Sequence, residues 1–229
     1  LSWPTILKPL TVDFSLLPML VRGPATISGR RQVVGSDAGF WRATLGGVPL
    51  RTPDQVREWR GLIAAAQGGL EDILVGPFDC RQAPRPLRHR GVTTGGTPHS
   101  DGALFSDGSG YSESLVRMSL HADAALRATS ITINIAIAGD IRRGMYFSIA
   151  NRLYIVTSIP SLLIPGGAYG AGRRVSFNFL PPLRTAAVAG TNVEFGDPKA
   201  TMRLADSDTG RLELKTGRFG NPSVDLVEV

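Results

Sequence analysis

The sequence is poor in the residues that build disulfides, metal centres and catalytic sites. Its single cysteine, Cys80, cannot form an internal disulfide and has no cysteine or histidine at the short spacing of a zinc site. Only three histidines occur, at His89, His99 and His121, and none has a metal-ligating partner at a recognised spacing. We therefore predict no metal centre, and a fold that needs no oxidising compartment.

Long apolar runs are also missing. No stretch approaches the roughly 18 consecutive apolar residues that a membrane-spanning helix needs. The apolar cluster nearest the start, residues 14–21, is interrupted by Pro18 and is not followed by a small-residue cleavage site. The sequence predicts neither a membrane span nor a signal peptide.

What is present favours a folded, β-rich chain. Hydrophobic residues make up 42% of the 229 residues and charged residues 19%, a balance that excludes a disordered chain. The 27 glycines and 16 prolines are spread along the whole sequence, so turn signals recur often, as they do between many short strands.

The net charge of +6 raises the alternative of a basic, nucleic-acid-binding β-barrel. All but three of the 25 basic residues are arginine, but they occur singly or in pairs and never in a dense run. Arginine also suits protein interfaces, where its planar guanidinium pairs with carboxylates. We favour surface and interface roles for these residues.

The first half of the chain predicts an arm, a hairpin, a helix and a loop. Residues 1–24 are apolar but contain four prolines, so we expect an extended arm without a regular strand. It should lie over a preformed apolar surface and contact an adjacent subunit or a partner ring. Residues 26–34 and 39–45 form the predicted hairpin.

A helix at 53–67 is predicted from the N-cap Thr52, Pro53, and an apolar stripe. A strand at 71–78 precedes a long loop at 79–113, which we expect to be peripheral and mobile.

The second half predicts strand after strand. The clearest is 128–138, where isoleucines alternate with polar or small residues, and others are predicted at 144–150, 153–159, 175–180, 192–195, 200–205 and 224–229. The sequence thus predicts a mainly β fold, a β-barrel or sandwich of roughly ten to twelve strands with one flanking α-helix and a long inserted loop. The domain prediction is an N-terminal arm at 1–24 and one β domain at 25–229.

No motif carries recognisable chemistry. His99, Ser100 and Asp101 are the three residue types of a hydrolytic triad, but adjacent residues cannot adopt its geometry. The glycine-rich stretch 166–172 lacks the order of a phosphate-binding loop, and no helix is predicted after it. We predict no catalytic residues, no cofactor-binding residues and no metal ligands, and hence a protein that is not an enzyme.

Two runs in the second half resemble tailed-bacteriophage tail-tip proteins. They are G-D-I-R-R-G-M-Y-F-S-I-A-N-R-L-Y-I-V-T at residues 139–157 and F-N-F-L-P-P-L-R at 177–184, with Gly190 following. Such proteins have a similar hairpin leading to a strand that ends in P-P-L-R. The similar region spans about 139–204, and within the group the distal tail protein of siphophage-like tails is the best candidate.

That resemblance implies a structural component of the virion and sets the expected partners. The chain would form a homo-oligomer, a hexameric ring, between the tail tube protein and the tip or hub proteins, and assemble in the host cytoplasm. DNA would pass through the lumen without specific binding, and the chain would not insert in a membrane. Another non-enzymatic tail component, such as a tube, hub or tail-completion protein, is the nearest alternative, and a cell-wall hydrolase is a third class for which the sequence shows no carboxylate pair or metal cluster.

Overall fold

The computed structural model describes residues 1–25, 28–29, 31–79, 81–84, 103, 106, 116–164 and 172–229. Within them it has one α-helix, one short 3₁₀ helix and ten strands. These are β1 (Thr11–Ala25), β2 (Arg31–Gly46), α1 (Pro53–Ala65), the 3₁₀ helix (Gln67–Gly69), β3 (Ile73–Val75), β4 (Arg117–Leu120), β5 (Ser130–Ile137), β6 (Tyr146–Ile149), β7 (Arg152–Ile164), β8 (Arg173–Leu180), β9 (Ala200–Leu204) and β10 (Val224–Glu228). The predicted fold class is confirmed.

The strands form two antiparallel sheets of five. The helical sheet, so named because α1 packs on it, has the order β1-β2-β10-β9-β3, and the barrel sheet has the order β4-β5-β8-β7-β6. Hydrophobic alternation sets which face each strand buries: Ile131, Ile133 and Ile135 of β5 all lie in the core of the barrel sheet.

The barrel sheet is closed by a segment that is not itself a regular strand. Residues 191–195, of which 192–195 were predicted as a strand, lie between the two edge strands β4 and β6. Val193 donates its N–H to Met118 O at 3.0 Å, and Ser148 and Glu194 exchange backbone hydrogen bonds of 2.8 and 2.9 Å. Both edges of the sheet are thereby covered.

An aromatic cluster fills this barrel. Phe147 lies at its centre, stacked on Phe195 with ring centroids 5.2 Å apart and on Tyr154 at 5.3 Å. The rings of Phe177 and Phe179 meet Phe147 edge-on, both at 5.4 Å. All five rings are buried, so these aromatic residues belong to the core.

Helix α1 begins and packs as its sequence predicts. The Thr52 hydroxyl accepts the N–H of Gln55, and the Gln55 side chain accepts the N–H of Thr52, a capping box. Val56, Trp59 and Leu62 are buried against the helical sheet. The helix ends at Ala65, two residues before the predicted end, and a 3₁₀ turn continues to Gly69.

The hairpin of β6 and β7 is the wall between the two cores. Phe147 and Tyr154 face into the barrel, whereas Tyr146 and Leu153 pack against the core of the helical sheet. Trp41 of β2 donates its indole N–H to Leu153 O at 2.7 Å. The run at 139–157 therefore builds the contact between the two sheets.

The N-terminal arm was predicted to lack a regular strand, and this was wrong for residues 11–25. Residues 1–10 lie on the body: Leu7 is buried, and Trp3 packs edge-on against Trp59 at 6.1 Å. Residues 11–25 form the regular strand β1, because β2 offers a partner along its whole length. Pro18 is tolerated because it falls at an irregularity in the pairing, where its missing N–H costs no ladder bond.

The predicted hairpin of 26–34 and 39–45 was wrong, since residues 31–34 and 39–45 belong to the single strand β2. The residues between them, 35–38, are not a turn. The register passes from Leu17 opposite Phe40 to Met19 opposite Ser36, so β2 has three residues, 37–39, where β1 has only Pro18. A bulge absorbs residues 37–39. The pairing of Ala25 with Arg31 places the reversal of the chain between these two residues instead.

Most of the predicted loop 79–113, and residues 166–171 of the glycine-rich stretch, lie outside the described residues. The remaining predicted strands correspond to β3, β5, β6, β7, β8, β9 and β10, with ends that differ by a few residues.

Candidate functional site

Among the described residues, no three of the His, Cys, Asp and Glu side chains are grouped closely enough to hold a metal ion. His121 is exposed at the end of β4, and His89, His99, Ser100, Asp101 and Cys80 lie outside the described residues. A shallow pocket of about 420 Å³, lined mostly by polar side chains, lies beside residues 191–195, which close the barrel. Its charges are used locally: Lys199 pairs with Asp197 at 2.8 Å, and the Glu194 carboxylate accepts the N–H groups of Gly196 and Asp197. This arrangement stabilises a turn.

A buried carboxylate joins the two sheets. Glu228, on β10, has a side chain only 2% exposed and accepts the Trp41 N–H at 3.0 Å. Arg184, just after β8, and Arg152, on β7, approach the carboxylate at 3.8 and 3.9 Å. Arg184 also donates to Gly39 O, and Arg152 donates to Val229 O.

Burial dominates the electrostatics of this carboxylate. Desolvation raises the pKa of Glu228, against the opposing effects of the Trp41 hydrogen bond, Arg184 and Arg152. Neither guanidinium is within hydrogen-bonding distance, and within the described residues Oε1 accepts no hydrogen bond. Because the Glu228 side chain is only 2% exposed and its partners come from both sheets, we assign the cluster a structural role between the sheets.

The most distinctive surface is the outer part of the β1–β2 ribbon, residues 18–25 and 31–38, which we name the distal hairpin. Strand β10 pairs with β2 only at residues 42–45, so within the described residues the two strands of the distal hairpin pair with each other alone. At about 3.3 Å per residue, the paired stretch 19–25 extends roughly 20 Å beyond the last contact with the sheet. The distal hairpin projects from the molecule.

The distal hairpin exposes several large apolar side chains to solvent. Val21 is 74% exposed and its cross-strand neighbour Val34 is 59% exposed, and these two lie side by side on one face. Met19, Leu20 and Val33 are about half exposed. Two strands cannot shield their own side chains, because a two-stranded ribbon has no second layer.

Strand β1 also leaves one edge of the helical sheet open. The opposite edge, β3, is covered by the start of the chain, where Trp3 donates its N–H to Leu74 O at 3.0 Å and Leu74 donates to Leu1 O at 2.8 Å. Both edges of the barrel sheet are covered by residues 191–195. Among the strands that the structure describes, β1 is therefore the one with an uncovered edge over its full length.

The distal hairpin has a net positive charge. Its two strands, residues 18–25 and 31–38, contain Arg22, Arg31 and one acidic residue, Asp37, and Arg30 lies between them in the sequence. The side chains of Arg22 and Arg31 are exposed. An apolar ribbon with a positive charge is suited to a partner that offers both apolar and acidic groups.

Sequence reasoning missed this surface, although a signal was present. The arm was predicted at 1–24 and the hairpin at 26–45, so the apolar residues on both sides of the turn were never placed opposite each other. The alternation of Met19 and Val21 on one side, and of Val34 and Ser36 on the other, was the available signal.

Comparison with known proteins gives no family for this chain. Its sequence matches no protein-family model, and a search of curated proteins finds no significant relative. Among the described residues, no helix has the length and apolar content to cross a membrane.

Proposed function

We propose that this chain is a structural subunit of a bacteriophage tail tip or baseplate, a distal-tail-like ring subunit that connects the tail tube to the tip hub. The observation that carries the proposal is the distal hairpin, an apolar and basic ribbon that projects from a closed body. Contiguous exposed apolar surface of this kind marks an interaction site in a folded protein.

The remainder of the described molecule agrees with an assembly role. Its polar clusters are engaged in turns and in the contact between the two sheets, which leaves no arrangement of nucleophile, base and acid among the described residues. The phage-like runs at 139–157 and 177–184 build that contact through β6, β7 and Arg184.

The alternative of a nucleic-acid-binding barrel has less support. Binding of single strands on such barrels depends on aromatic rings that stack with bases. The five rings of the barrel cluster are all buried, so none of them can serve as a stacking platform.

Imaging of the intact tail that carries this chain tests the proposal. We expect density for the helical and barrel sheets in a ring between the tube and the tip, around an open lumen. Density within the repeating tube or outside the tail, or enzymatic activity of the purified chain on cell-wall material, would contradict the proposed position.

A further inference from the structure

A second surface of the molecule is acidic where the distal hairpin is basic. The turn after α1 and the turn after β9 meet: a Cβ placed on Gly69 would lie 3.0 Å from Leu204 O, and one on Gly68 would lie 3.4 Å from the side chain of Ser207. Together the two turns present one exposed apolar side chain and three carboxylates. We name this surface the acidic corner; its members are Leu70, Glu71, Asp206 and Asp208.

The charge of the acidic corner is not cancelled within its own turns. Residues 67–71 and 204–210 contain no basic side chain, and the next basic residue along the chain is Arg211. Arg203, at the end of β9, is already paired with Asp72, with its Nε 2.6 Å from the carboxylate. Leu70 is 72% exposed, so the corner combines an apolar side chain with negative charge.

Strand register places the two surfaces at opposite corners of the helical sheet. The distal hairpin leaves the edge strands β1 and β2 at the end where β2 begins. Across the sheet, Ala43 lies opposite Leu226, and Leu226 lies opposite Leu204. The chain that continues past Leu204 therefore runs toward the other end of the sheet, and β9 and β3 form its other edge.

This separation excludes docking within one molecule. With strands about 4.8 Å apart, the five-stranded sheet is roughly 20 Å wide, and the hairpin points away from the corner. A surface and its complement on opposite ends of one subunit generate a head-to-tail contact, which closes into a ring when the rotation between subunits permits.

We infer that the distal hairpin of one copy docks against the acidic corner of the next copy, with Arg22 and Arg31 facing Asp206 and Asp208. Leu20 and Val33, which lie on the same face of the ribbon as the two arginines, cover Leu70. The inference rests on the proposed function, because it supplies the contact between ring subunits. The hairpin contributes apolar area and the charges fix its orientation and exclude wrong partners.

Charge exchange tests the contact in the full chain. Arg22→Glu with Arg31→Glu, and separately Asp206→Arg with Asp208→Arg, should each raise the concentration for half-assembly by about tenfold or more, because like charges then face each other. The four substitutions combined should restore assembly. Arg142→Glu with Arg143→Glu, an equal charge change on an exposed loop, is the matched control and should assemble as the unchanged protein does.

Sedimentation velocity measures assembly, and thermal unfolding confirms that each variant is folded. If the unchanged chain forms rings but neither reversal weakens them, or the combination fails to restore them, the hairpin–corner contact is wrong while the ring is retained. If the unchanged chain is monomeric both in solution and in the tail, the ring and this contact are both overturned.

Discussion

Glu228 is the residue at which the two sheets are joined by charge. Its partners Trp41, Arg152 and Arg184 come from three other parts of the chain, and Trp41 is 187 positions away in sequence. No local pattern in the sequence could bring them together. By contrast, Thr52 and Pro53 act on the helix that follows them directly, which is why the start of α1 was predicted from the sequence.

The raised pKa of Glu228 makes a prediction about pH. Burial favours the protonated form in the folded chain, so the folded pKa lies above that of the unfolded chain. A group of this kind contributes stability that is fully present below the unfolded pKa, near 4.5, and is lost as the pH rises through the folded pKa.

Glu228→Gln removes this titration and keeps a carbonyl oxygen to accept the Trp41 N–H. We therefore expect the free energy of unfolding of the unchanged protein, relative to that of Glu228→Gln, to fall as the pH is raised from about 4.5 toward neutrality. Urea unfolding at a series of pH values measures it. A difference that stays constant or grows over this range would show that the arginines, and not burial, determine the direction of the pKa shift of Glu228.

At the scale of elements, the barrel depends on a segment that sequence patterns describe poorly. Residues 191–195 have too few alternating positions to distinguish a strand from a connection. They close the barrel only because they lie between strands β4 and β6 and hydrogen-bond to both. Phe195 fixes the segment by stacking on Phe147 and meeting Phe177 edge-on at 6.1 Å.

Removal of the Phe195 ring should open this closure. Phe195→Ala leaves a cavity in a fully buried cluster and should lower the free energy of unfolding by about 3–5 kcal/mol. Val188→Ala, at an exposed site on the preceding loop, is the control and should change it by less than about 0.5 kcal/mol. Denaturant titration separates the two, and a loss below about 1 kcal/mol for Phe195→Ala would show that the segment is peripheral to the core.

The β1–β2 ribbon shows why a strand can be missed. Pro18 and the stretch 35–38 each indicate a break when they are considered separately, and together they form one bulge because they lie opposite each other. The close approach favours glycine at position 39, since a Cβ there would lie 3.2 Å from Leu17 O. Pairing between distant residues thus overrides the local signals on both strands.

At the scale of the whole molecule, the β-rich class follows from composition and alternation, whereas the division into a closed barrel and a helical sheet does not. That division depends on which edges are covered, and each cover comes from a distant segment: residues 1–3 on β3 and 191–195 on β4 and β6. Among the described residues no such segment covers β1, and the distal hairpin projects from that edge. The surface we assign to assembly is therefore visible only once the strands are paired.

The central claim is that this chain assembles into a ring through the distal hairpin, and the mass of the purified protein in solution tests it most directly. Native mass measurement over a range of concentrations should show a closed species at six times the 24.4 kDa subunit mass. Leu20→Asp with Val33→Asp should abolish it without lowering the melting temperature, because these half-exposed residues lie on the docking face and outside the core. Leu126→Asp with Val188→Asp, a matched pair of exposed apolar sites on barrel loops, should leave it intact. A protein that stays monomeric at every concentration, or a ring that survives the Leu20 and Val33 substitutions, would contradict the account.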